Sequence, residues 1–232
     1  MRLNFITWKL YGFSRKMECM NAPYDCGRVV EIEDEPHHHL IIANEYVRAL
    51  AVAVPPHTRT LCHHHPHDYL IYVASGAEII SAARDEDPKT LKYGDGDCDL
   101  LEAGLVHVVE NLSGTAFRNV VVELLPGADR LTRGGDPVRV AGEARVERIF
   151  EHERSAIYGV EMEAGAEVEV DGPAVVACPY GGEIMMKELD EFDIPLDEFK
   201  KLIWVCAPRT VGIRNAGRGL ARAVVFQVGS RV

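Results

Sequence analysis

The chain has 232 residues, 47% of them hydrophobic and 26% charged, with a formal net charge of −11. That length accommodates one large β domain or two small ones, while the acidic balance argues against general nucleic-acid binding, which needs a basic face. No apolar run approaches the length of a membrane span, so no membrane partner is expected.

The opening MRLNFITWKLYGFSRK is basic and aromatic but has no continuous apolar core and no small-residue cleavage site. A secretory signal is therefore not expected. Either Met17 or Met20 is the start, or residues 1–27 form an extension containing a strand that packs on a partner subunit. Six dispersed cysteines (Cys19, Cys26, Cys62, Cys98, Cys178, Cys206) form no CxxC pair. They read as reduced thiols of a cytoplasmic protein, with Cys62 and Cys206 in strands as small apolar residues.

Arg28 to Ile32 is a short β-type run, and the polar EDEPHHH after it predicts a solvated loop holding His37, His38 and His39. Leu40 to Ala43 and Tyr46 to Val54 predict strands, the second apolar enough to be buried on both faces. Strand alternation over Leu61 to His65 puts His63 and His65 on one side and His64 with Cys62 on the other. Tyr69 to Ser75 and Ala77 to Ala83 predict further strands. Arg84 to Pro88 is a charged turn, and Gly94-Asp95-Gly96-Asp97 signals a tight hairpin. Leu105 to Glu110 and Ala116 to Leu125 end the first unit. Short strands, frequent turn chemistry and no long helical period predict an all-β barrel or sandwich.

Two motifs here resemble those of the cupin superfamily. The first reads His63-x-His65, three residues, Tyr69, six residues, Gly76; the second reads Gly96, five residues, Glu102-x-Gly104, two residues, His107, three residues, Asn111. The spacing agrees at every anchor, but Tyr69 stands where the family has a ligand Glu and Glu102 where it has Pro. The resemblance implies jelly-roll (double-stranded β-helix) barrels, with His63, His65 and His107 holding a divalent transition metal.

PGADRLTRGGDP concentrates Gly, Pro and Asp, which predicts a linker over residues 126–144. Beyond it the pattern recurs: Asn111–Leu124 aligns without a gap on Asn215–Val228, AVAVPPHTRTLC on GVEMEAGAEVEV, and VASGAEI on CPYGGEI. The expectation is a tandem of two cupin barrels, residues 28–125 binding the metal and residues 145–232 a degenerate second copy. In that alignment His63 falls on Asp171, His65 near Pro173 and His107 on Val211. The acidic EIMMKELDEFDIPLDE, Glu183 to Glu198, is read as an insertion, either a solvated face or a loop or short helix covering a barrel mouth or dimer edge.

Imidazole suits Zn, Cu, Fe and Ni, and spacing does not choose among the expected ions, Fe, Zn, Ni or Mn. Three protein ligands leave positions open, the mark of a catalytic site. The resemblance implies a dioxygenase acting on a small organic substrate (a diketone, thiol or phenolic); the alternatives are a non-catalytic small-molecule or metal-binding protein, or a metal-dependent isomerase or lyase. Tyr69 is expected as a hydrogen-bond donor and His67 as a proton shuttle or substitute ligand. Asp68 and Glu110 are weak candidates for a fourth ligand, and His57 is expected in an exposed turn. The family leads one to expect a homodimer.

Overall fold

The computed structural model describes residue 24 and residues 26–180, 183–187, 193–195, 199 and 201–231. The expectations for Met17, Met20 and a partner-packing strand lie outside these residues. Among the described residues there is no α-helix, only two short 3-10 turns.

Ten strands come before residue 125: β1 Val30–Glu31, β2 His38–Ala43, β3 Val47–Val54, β4 His63–His65, β5 Tyr69–Ser75, β6 Glu78–Ala83, β7 Lys89–Lys92, β8 Cys98–Leu101, β9 Leu105–Asn111 and β10 Phe117–Leu124. They form two five-stranded sheets, in the orders β1-β4-β9-β6-β7 and β2-β3-β10-β5-β8. The connection continues through β11 Thr132–Arg133. Then come β12 Val138–Ala141, β13 Ala144–His152, β14 Ser155–Met162, β15 Glu167–Asp171, β16 Ala174–Ala177, β17 Ile184–Lys187, β18 Asp193–Pro195, β19 Leu202–Val205, β20 Thr210–Asn215, β21 Ala221–Val228 and β22 Ser230–Arg231. The second pair of sheets runs β12-β15-β20-β17-β18 and β13-β14-β21-β16-β19, which is the first order repeated strand for strand. Each half is an open-edged jelly-roll sandwich, so the all-β, two-barrel expectation holds.

The apolar runs of β3, β5 and β10 follow from burial on two sides. Leu50, Val52, Val54, Tyr69, Ile71, Val73 and Val121 fill the interior of the first sandwich. Val47, Ala49, Ala51, Leu70, Tyr72, Val120 and Val122, on alternate positions, pack instead with Ile157, Val175, Ala177, Val224 and Phe226 of the second half. At this seam β2 lies against β19 and β8 against β13. Tyr46 stacks on Trp204 with ring centroids 5.8 Å apart.

Several expectations need correction. Gly94 to Asp97 does not close a hairpin; it carries the chain from β7 in one sheet to β8 in the other. Its turn chemistry is nonetheless real, since Asp95 accepts the Gly76 N–H and Asp97 the Gly94 N–H. The acidic stretch is no insertion: its described parts, β17 and β18, pair as a hairpin in the place that β6 and β7 take in the first half. Residues 188–192 and 196–198 lie outside the described set. Cys26 and Cys62 are joined in a disulfide, so they are not reduced thiols, and Cys62 precedes β4 instead of lying in it. Cys206 is exposed beyond β19. The connection after β10 is packed: Pro126–Arg130 forms a 3-10 turn, β11 pairs with β22, and buried Arg133 donates to the carbonyls of Gly229 and His152.

Candidate metal centre

The site lies inside the first sandwich. Alternation along β4 turns His63 and His65 inward, 0% and 2% exposed. β9 is the hydrogen-bonded neighbour of β4, and His107 sits directly opposite His63 in register. The motif glycines allow the surrounding turns. Gly104 has φ +89, which only glycine takes without strain, and a Cβ on Gly76 would collide with the Tyr93 carbonyl.

The structure adds a fourth imidazole. His38, expected in a solvated loop, is 7% exposed and opens β2 in the facing sheet. His38, His63 and His65 each offer a ligand atom, all within 4.8 Å of one another. His63 is the hub, with ring centroids 4.6 Å from His38, 5.1 Å from His65 and 4.6 Å from His107. Nε2 of His107 is 3.1 Å from Nε2 of His63. Two imidazoles on one ion, at metal–nitrogen distances of about 2.0–2.1 Å, stand about 2.9–3.4 Å apart. The pair already has a metal-binding spacing.

Outer hydrogen bonds fix much of the tautomer pattern. His63 Nδ1 lies 2.9 Å from the Leu61 carbonyl, an acceptor only, so Nδ1 carries the proton and Nε2 the lone pair. His107 Nδ1 is 3.1 Å from the Ser81 hydroxyl, which can donate or accept. His38 Nδ1 is 2.6 Å from Oε2 of Glu35. Glu35, 1% exposed, also accepts the His37 and Leu61 N–H groups. Burial alone would raise its pKa, but the hydrogen bond from His38 and the backbone donors outweigh burial and hold it below the usual carboxylate value. His65 stacks on Tyr69 with centroids 4.1 Å apart. Its Nδ1 faces Oε1 of buried Glu123 at 3.9 Å, and neither atom has a hydrogen-bond partner among the described residues.

Burial keeps His63, His65 and His107 neutral. It lowers His63 to about 4, with His38 adding to the effect, and it lowers His65 and His107 well below the ordinary value, helped by neighbouring histidines. Neutral imidazole is the metal-binding form. Burial also raises Glu123 to about 7, against the pull of Arg48, whose Nε donates to it at 2.7 Å. The donor set, its spacing and the two unpartnered atoms fit a transition metal. The identity of the ion does not follow from them.

The surrounding cavity holds about 110 Å³ and is mainly apolar, with Ile71, Leu105, Val109 and Phe117 among its walls and Tyr69 and Asn119 as polar members. Tyr69 is 2% exposed, and burial raises its pKa, so it is a neutral phenol inside the cavity. His67 is half-buried between β4 and β5 and does not line the cavity. Asp68 is engaged by Arg154 and the Ala103 N–H, and Glu110 by Arg59 and Tyr24, so neither carboxylate belongs to the cluster. His57 is exposed in a turn, as expected, with φ +53.

The equivalent positions in the second half are apolar or bare. Val170 pairs with Val211 as His63 pairs with His107, which puts Val170, not Asp171, at the His63 position and Gly172, not Pro173, at the His65 position. The alignment slips because the stretch from Met162 to Val170 is one residue shorter than the equivalent stretch from Val54 to His63. The His38 position is taken by Val146, which pairs with Val160 as His38 pairs with Val52.

No family model matches the chain, and no curated protein matches its sequence. Among solved structures it is similar to a cupin 2 conserved barrel domain protein from Leptotrichia buccalis (11% identity, covering 82% of this chain and 88% of that one, TM-score 0.50). It is also similar to a salicylate 1,2-dioxygenase from Pseudaminobacter salicylatoxidans (10% identity, 78% and 71% covered, TM-score 0.54). A third similar structure is a vicilin from Solanum melongena (12% identity, 80% and 76% covered, TM-score 0.58). At these identities the likeness is one of fold. The chain has the cupin fold, as two jelly-roll barrels in tandem, with a histidine cluster suited to a transition metal in the first.

Proposed function

We propose that the protein is a metal-dependent cupin enzyme, a dioxygenase acting on a small organic substrate, with the ion held by His63, His65 and His107. The observation that carries this reading is asymmetry. Buried imidazoles converge on a mainly apolar cavity of one half, while the equivalent positions in the other are Val146, Val170, Gly172 and Val211. The fold therefore does not need histidine there. Burying four imidazoles has a desolvation cost that ion binding offsets.

An ion held by His63, His65 and His107 would supply open coordination positions and Lewis acidity. The chain's own residues do the rest. Ser81 and the Leu61 carbonyl orient His107 and His63, and the apolar walls exclude water. Tyr69, protonated at neutral pH, can donate to a bound oxygen atom but does not serve as a base. Without a carboxylate among the ligands the ion keeps more of its charge, which favours an anionic substrate. The cavity is smaller than the ~150 Å³ that admits benzene elsewhere. His67, outside the cavity wall, would have to act through an intervening group.

The proposal takes residues 28–125 as the catalytic unit, residues 145–232 as its support and a homodimer as the working form; the Cys26–Cys62 disulfide favours an oxidising compartment over the expected cytoplasm. The second reading is metal or small-molecule binding without turnover, favoured by the small cavity. To separate the two, metal-free protein is loaded with Fe(II), Mn(II), Ni(II) or Zn(II), and oxygen uptake is followed with small diketones, thiols and catechols. The enzyme reading expects consumption with a redox-active metal and one substrate class. Tight metal binding with no turnover across the panel would leave the binding reading.

A further inference from the structure

We infer that His38 is a metal ligand through Nε2 and that Glu35 is its positioning residue. The inference rests on the metal-site reading above and extends it to a residue pair outside both sequence motifs.

The geometry has three parts. First, His38 reaches the cluster from the opposite sheet and shares a 4.8 Å ligand group with His63 and His65. Second, its Nδ1 is committed to Glu35 at 2.6 Å, and an ionised carboxylate accepts only. Nδ1 must therefore carry the proton, leaving Nε2 as the nitrogen available to an ion. Third, Glu35 does not hold His38 in isolation. Its other oxygen accepts the N–H of Leu61, and the carbonyl of Leu61 accepts from His63 Nδ1. One buried carboxylate and the backbone of one residue, Leu61, thus brace two imidazoles from two different sheets. If Glu35 served only to satisfy buried backbone donors, its bond to an imidazole aimed into the cavity would be superfluous. Outer carboxylates of this kind set tautomer, ring orientation and basicity of metal-bound histidines.

Glu35→Gln is the sharpest test, because it keeps the shape and can still accept from Leu61. Its single amide oxygen cannot serve the Leu61 N–H and also the donors of His37 and His38, and the loss of the carboxylate charge weakens the hold on His38 Nδ1. Cobalt(II) titration of metal-free protein should then show affinity reduced about 10–100-fold and an altered ligand-field spectrum. His38→Ala should give the same spectral change, whereas Glu33→Gln, at an exposed neighbour, should give none. Nitrogen-15 NMR of histidine-labelled, metal-free wild type should place the His38 proton on Nδ1. This reading decides alone if Glu35→Gln fails to fold. An Nε2-protonated His38, or Glu35→Gln affinity within about threefold of wild type with an unchanged spectrum, would overturn the inference. Cobalt binding needs no turnover, so weakened binding in a protein inactive toward every substrate would uphold Glu35 while removing the enzyme reading.

Discussion

The four imidazoles were not equally visible. His63, His65 and His107 lie at motif spacings, but His38 sits in a tract whose burial shows no regular alternation along β2, so nothing local marked it as inward-facing. Glu35 and Glu123 were hidden for the same reason: partners distant in the chain bury them. His63, touching the other three rings, should be the least replaceable, and His63→Ala should lower metal affinity by about 100-fold or more, read by metal analysis after dialysis. The histidines also set an acid response in metal-free protein. The folded pKa of His63 is about 4 against 6.5 unfolded, so between those values the unfolded chain binds the extra proton and stability rises with pH. The His63 contribution is complete above pH 6.5 and is lost as pH falls toward 4, a difference on the order of 3 kcal/mol. His65 and His107 act in the same direction. Glu123, raised to about 7, acts in the opposite one, but it is one group against three. Thermal melts of metal-free protein should therefore fall from pH 6.5 to pH 4.5; a flat profile would mean the rings are not neutral and buried.

The strands themselves were largely legible, because β3, β5 and β10 carry apolar runs and β4 and β9 carry alternation. The short edge strands β7 and β8 were not. Their KTLK and CDLL lack a period, and the Gly-Asp turn between them looks the same whether it closes a hairpin or crosses between sheets. The internal repeat was legible from its asparagines. Asn111 donates to the carbonyls of Val54, Pro55 and Thr115, and Asn215 to those of Met162 and Gly219, each tying the end of one strand to the loop after another. Asn111→Ala and Asn215→Ala should each destabilise by about 2–3 kcal/mol in urea titrations, since buried carbonyls lose their donor. The disulfide was illegible, because pairing depends on β1 lying parallel beside β4. It closes a loop with a sequence separation of 36 next to the residue that starts the histidine strand. Replacing both cysteines by serine should cost roughly 3–4 kcal/mol and lower the melting temperature; an unchanged melt would show that the bond is dispensable.

The seam between the halves is continuous core. Leu70, Val120 and Val122 on one side meet Ile157, Val224 and Phe226 on the other, all buried. Residues 26–130 produced alone would expose that face, and we expect size-exclusion chromatography to show self-association or aggregation instead of a monomer. Phe226→Asp in the full chain should unfold both halves together, because it buries an unpaired charge at the shared core. Repetition of the sheet order gives the seam a near-twofold character: β2 meets β19 as β8 meets β13, so each half offers the other its corresponding face. Two separate copies of one barrel would have to find each other by collision, and their association would fade on dilution. Carried on a single chain, the second barrel is held at a fixed, high local concentration beside the first. The scaffold behind the histidines is thus present in every molecule at any expression level. Because the two faces are encoded separately, one could exchange its imidazoles for valine while the other kept them.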